Sequence, residues 1–245
     1  MLNFLLIVFE ILLLGFLITF MHYMRKQIGY GVLYVFVGAL QFFQTLLVSN
    51  VYDTSIFNYQ FSPGSTIFYT ASLFTILLTN YSEGIVKTRG LIYGVIISNI
   101  ALTLFSHFLL IHAETNATDS GIFLEEILSF ELSLFVVGTS LLFFESFFIV
   151  YTFQYLHLKM PKLNLFLIIY LTMSIVCLFD SVIFYSVFFY EKENFKQMLI
   201  GNIVGKQITV FFLSIMFYTY IKVNPNTKNV RVKSLKDVIH IFTFQ

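Results

Sequence analysis

From Leu2 to Ile221 the sequence returns again and again to stretches of about twenty predominantly apolar residues, the number an α-helix needs to cross the hydrocarbon of a bilayer. Only polar breaks separate them. Lipid offers no partner to a bare N–H or C=O, so a spanning segment must be a helix or part of a closed barrel, and uninterrupted apolar runs of this length fit the helix. Seven spans are expected: Leu2 to Tyr23, Ile28 to Ser49, Ser65 to Asn80, Leu91 to Ile111, Ile127 to Tyr151, Leu163 to Tyr190 and Gln197 to Ile221. The fold class is therefore an all-α polytopic membrane protein with seven transmembrane helices. Its expected division is a transmembrane domain over 1–222 and a cytoplasmic linker or amphipathic tail over 223–245. Of the 245 residues, 58% are hydrophobic and 11% charged, and the mean hydropathy is +0.85. The longest polar stretches are about twenty residues, too short for a folded soluble catalytic or nucleic-acid-binding domain.

The first span lacks a basic leader and an A-x-A cleavage site, which marks it as a retained helix rather than a signal peptide. The third is short, but Ser62-Pro63-Gly64-Ser65 places capping chemistry and a first-turn proline at its start. Basic residues set the expected orientation. Arg25 and Lys26 follow span one, Lys87 and Arg89 span three, and Lys159 and Lys162 span five; Lys222, Lys228, Arg231, Lys233 and Lys236 follow span seven. The alternate loops hold only Lys192 and Lys196, together with Asp53, Glu114, Asp119, Glu125, Glu126, Glu191 and Glu193. The positive-inside rule then puts the N-terminus outside and the C-terminus in the cytoplasm of a multi-pass inner-membrane protein.

Charges within apolar spans narrow the search for a site. Glu10, Glu131, Glu145, Asp180 and Lys206 lie inside or at the edge of such runs. A lone charge in hydrocarbon costs roughly 3 to 10 kcal/mol, so these residues are expected to face the protein interior and a partner. Counting the helical rise from the outer ends sets Glu10, Asp180 and Lys206 at one depth, roughly 12 to 15 Å below the surface. Glu131 falls near the outer boundary, and Glu145 lies in the inner half with no evident basic partner. Two readings follow. Asp180 and Lys206 neutralise each other and hold the last two helices in register, or the layer lines a ligand pocket whose carboxylates meet donors on a polar or cationic ligand.

Other features carry less. Gly201-Asn202-Ile203-Val204-Gly205 is a G-x-x-x-G that lets a neighbouring backbone approach just before Lys206. His22, His107, His112 and His157 do not cluster, and no metal site or cofactor is expected. Cys177 is the lone cysteine, which excludes an intrachain disulfide. Phosphate-binding loops, zinc-protease motifs and serine nucleophile elbows are absent, arguing against an enzyme. Asn116-Ala117-Thr118 matches a glycosylation sequon by chance. Seven spans with a lysine in the last would also describe a retinal protein, but the chain has no tryptophan and Ser65 to Thr79 holds no acid.

A family pattern emerges from the third segment onward. Ser62-Pro63-Gly64-Ser65-Thr66, Ala71-Ser72-Leu73-Phe74, Leu77-Leu78-Thr79-Asn80-Tyr81-Ser82-Glu83-Gly84 and Thr88-Arg89-Gly90-Leu91-Ile92-Tyr93-Gly94 together resemble the bacterial seven-helix sensor modules related to vitamin-uptake and queuosine-precursor uptake (VUT) transporters. Phe179-Asp180-Ser181-Val182-Ile183-Phe184 and Lys206 are similar to the paired aspartate and lysine helices of that group. Asn80 stands where the transporters carry an acid. Ser234 to Thr243 resembles the amphipathic linker that precedes a cytoplasmic output domain in such receptors.

The resemblance implies a membrane-embedded sensory module that binds a small ligand and signals to a cytoplasmic output domain or partner. The alternative is a secondary transporter of queuosine-precursor-like or vitamin-like heterocycles. Asp180, Lys206, Glu10, Ser181, Phe184 and Glu145 are the candidate ligand-binding residues. Expected partners are the bilayer, a small-molecule ligand, an output domain or protein, and a second copy of the chain, but not nucleic acid.

Overall fold

A computed structural model of the chain describes residues 2–56, 59–115 and 132–224. Glu131, the sequon at Asn116 and the linker over 234–243 lie outside the described residues. Among those described, seven α-helices follow in order: α1 Leu2–Ile28, α2 Gly31–Asn50, α3 Tyr69–Glu83, α4 Ile85–Thr115, α5 Leu132–Lys159, α6 Leu165–Phe188 and α7 Phe195–Val223. All but α3 are long and apolar enough to cross a bilayer. They carry large exposed apolar side chains, among them Leu5, Phe9, Val35, Ile97, Phe105 and Phe144, which water would not tolerate on this scale. The chain is a multi-pass membrane protein.

The third span differs from its neighbours for a reason the structure makes plain. Every residue of α3 from Tyr69 to Ser82 is buried, so this helix is sheathed by the others and meets no lipid. An unexposed helix need not be apolar all round, and α3 carries Thr70, Ser72, Thr75, Thr79, Asn80 and Ser82. Several of these hydroxyls return to the carbonyl one turn back: Ser72 to Phe68 at 3.1 Å, Thr75 to Ala71 at 2.9 Å and Ser82 to Leu78 at 2.8 Å. That self-satisfaction lets a polar helix sit in a dry interior.

Between α2 and α3 the chain forms a feature with no counterpart among the expected elements. Strands β1 Asp53–Ile56 and β2 Tyr59–Phe61 pair antiparallel, and a π-helical turn over Gly64–Phe68 leads into α3. Phe61 is fully buried, and β2 packs against α7. Ser62 does not cap the helix as its sequence context suggests; its hydroxyl donates to the Leu47 carbonyl of α2 at 2.8 Å. The most extensive helix packing joins α6 to α7 and α5 to α6. Asn164 caps α6 by accepting from the Phe166 N–H at 3.3 Å.

Candidate ligand cavity and its charged wall

At the hairpin end of the bundle a cavity of about 70 Å³ opens between α2, α4, α5, α6 and α7, with room for several waters or a small solute. Asp180 and Phe184 of α6 and Lys206 of α7 line it. Facing them are Gln44 and Thr45 of α2, Ser65 of the π-helical turn, and Tyr69 at the start of α3. Asn99 and Thr103 of α4 and Thr139 of α5 complete the polar part of the wall.

The Lys206 Nζ donates to Asp180 Oδ2, with both side chains almost wholly buried. A buried ion pair with this geometry costs desolvation on both partners and is sound only while both are present. Nζ also stands 5.1 Å from the centroid of the Tyr69 ring, a cation–π contact. Tyr69 turns its hydroxyl the other way, donating to Glu145 Oε2 at 2.5 Å. Glu145 is fully buried, and its charge interacts with that of Lys206. No basic partner for Glu145 was evident by counting, because depth along one helix says nothing of which helix faces it. The fold brings Tyr69, Glu145, Asp180 and Lys206 together from four helices.

Other candidates fall elsewhere. Ser181 does not line the cavity: its hydroxyl contacts the Cys177 carbonyl and Asn202 Oδ1, each at 2.8 Å. Glu10 stays out of this wall too, half-buried on α1 within electrostatic reach of Asp53. Equal depth was the ground for grouping it with Asp180 and Lys206. Depth fixes height but not azimuth: the fully inward side chains on this part of α1 are Ile7, Ile11 and Leu14, while Glu10 stays half-buried.

Asn202 is a hub that residue type alone did not mark. Its amide nitrogen donates to Ser65 Oγ at 2.6 Å and to the Tyr185 hydroxyl at 3.3 Å, while its oxygen accepts from Ser181. It thereby ties α7 to α6 and to the turn that enters α3. The flanking glycines explain how the turn comes so close. A Cβ on Gly201 would overlap the backbone of Gln60 in β2, and one on Gly205 would stand 2.8 Å from the Thr66 methyl. The G-x-x-x-G thus packs against the hairpin and π-helical turn, not against a second helix.

A second polar cluster closes the opposite end. His22 of α1 is fully buried, with Nδ1 2.8 Å from the Tyr220 hydroxyl of α7 and Nε2 2.7 Å from Ser82 Oγ of α3. Arg25 Nε donates to Glu83 Oε1 at 2.9 Å, and Nη1 donates to the His22 carbonyl at 2.8 Å. Among the described residues no group of three or more His, Cys, Asp and Glu side chains could hold a metal ion.

A family model described as "Vitamin uptake-like sensor" matches residues 15–221. The match takes in Tyr69, Glu145, Asp180, Asn202 and Lys206, while Glu10 precedes it. No curated protein and no solved structure matches.

Proposed function

The chain belongs to the vitamin uptake-like sensor family, and from that premise we propose that it is the ligand-binding module of a membrane sensor. The ligand enters the cavity from the outer, hairpin end and meets the Asp180–Lys206 pair. The observation that carries this reading is that Lys206 belongs to α7, which runs on from the cavity to Tyr220 and the chain's exit from the bundle. A ligand that competes for Asp180 or Lys206 changes what anchors α7 at one end. The His22–Tyr220 contact gives the other end a defined register from which to move. The tail after α7 passes that change to a cytoplasmic output domain or partner, and the chain itself catalyses no reaction.

The test is a distance measurement between spin labels on the Tyr220 end of α7 and the Lys159 end of α5. Candidate vitamins and heterocycles are screened in reconstituted vesicles. A compound that changes the distance in the wild type, and not in Asp180→Asn, is the expected result. If Asp180→Asn and Lys206→Met respond as the wild type does, the assignment fails.

One observation favours transport as a second reading. Thr79 Oγ1 and both amide atoms of Asn80 are buried with no hydrogen-bond partner, part of the way from the cavity to the His22 cluster along α3. Unsatisfied polar groups on an enclosed helix are what a translocation path would leave behind. Accumulation of a labelled queuosine precursor in vesicles would favour the transporter, whereas binding without accumulation would favour the sensor.

A further inference from the structure

The cavity wall carries one carboxylate, Asp180, and one ammonium, Lys206, and a second buried carboxylate, Glu145, stands behind the wall on the hydroxyl of Tyr69. Lys206 is engaged with Asp180. Glu145, with no exposed surface, has only the Tyr69 hydroxyl on Oε2, and its Oε1 has no hydrogen-bond partner. Among the described residues Asp180 and Lys206 are the only Asp, Glu, Lys or Arg side chains in the cavity lining, so a single ammonium, already paired with Asp180, serves two carboxylates. Gln44 Oε1, which does line the cavity, is likewise a buried acceptor without a donor. The groups left wanting at this site are acceptors and negative charge. A buried carboxylate that must share its only nearby cation is costly, and at low dielectric a second cation in the cavity, across the Tyr69 ring, relieves it.

We propose that the cavity selects a small organic monocation, a protonated amine or amidine, that donates N–H groups to Gln44 and Asp180 while its charge balances Glu145 across Tyr69. The inference rests on the cavity being the ligand site. It differs from that reading in fixing the charge of what binds.

Acetamidinium, acetamide and acetate have nearly the same shape and carry positive, zero and negative charge, so they isolate the sign. Each is titrated against the full chain in detergent at matched ionic strength, and thermal unfolding is followed. The expected result is that acetamidinium raises the unfolding temperature at about tenfold lower concentration than acetamide, with acetate inert. Glu145→Gln keeps an acceptor for Tyr69 and removes the charge, and there acetamidinium and acetamide should become equal. If acetamide or acetate stabilises the wild type as well as acetamidinium does, the cavity remains a ligand site and charge selection is wrong. That result would also follow if a proton rather than a ligand neutralised Glu145. If none of the three stabilises the wild type, the cavity reading falls with it.

Discussion

Tyr69 and Glu145 lie 76 residues apart in the chain and 2.5 Å apart in the fold, joined by a buried hydrogen bond from phenol to carboxylate. Removing the donor alone leaves both carboxylate oxygens unsatisfied. Tyr69→Phe is therefore expected to lower stability by about 1 to 3 kcal/mol, and Tyr69→Phe with Glu145→Leu to recover most of that loss. Chemical denaturation in detergent, read as a double-mutant cycle, measures both.

Lys206→Met strands Asp180 beside Glu145 with no cation. The expected cost is about 3 to 5 kcal/mol, the usual penalty for breaking a buried pair from one side. Adding Asp180→Asn should restore part of it, since Glu145 stays buried in either case. If these variants alter stability and leave every ligand response intact, the ion pair is only a structural clamp between α6 and α7.

Gly201→Ala drives a methyl group into the backbone of Gln60, which has no rotamer with which to yield. A loss of about 1 to 3 kcal/mol is expected, with faster protease cleavage near the hairpin. Gly94→Ala serves as the control: nothing stands within 4 Å of its added Cβ. There the helix should gain about 0.5 to 1 kcal/mol.

Tyr220→Phe removes the hydroxyl beside His22 Nδ1 at the far end of α7. The expected loss is about 1 kcal/mol, expressed locally as about fivefold faster hydrogen exchange in the last turn of α7. Equal exchange in the two proteins would mean that the His22 cluster does not hold that end in register.

Cys177 is the lone cysteine and is buried, so single-cysteine labelling is direct in a Cys177→Ala background. Lys26→Cys and Lys87→Cys should react with an impermeant maleimide only from the cytoplasmic side, and Asp53→Cys only from outside. Labelling of all three from one side would overturn the orientation.

The apolar runs made six helices legible, because a lipid-facing helix declares itself by composition. α3 was harder: Ser72, Thr75 and Asn80 dilute its hydropathy, and only enclosure by its neighbours makes such a helix possible. The paired strands β1 and β2 had no clear signature, since strands this short are stabilised chiefly by tertiary packing, here that of β2 on α7. Asp180 and Lys206 could be singled out because charge in an apolar run is rare. Tyr69 and Asn202 could not, since a tyrosine at a helix start or one amide in a polar stretch is ordinary until its partners are known. A lone amide between Gly201 and Gly205 was the one available hint.

What the sequence by itself determined is the class of molecule: helix lengths, the bilayer as solvent, and the presence of charges that must find company inside. These follow from local composition, because the cost of exposing backbone or charge to lipid does not depend on which helix lies next door. Tertiary structure alone decided which charges meet. Height along a helix can be counted, but the direction a side chain faces across the bundle is set by packing. That is why Glu10, level with Lys206 by counting, stands apart, and why Glu145, which looked solitary, is joined through Tyr69 to the wall of the cavity.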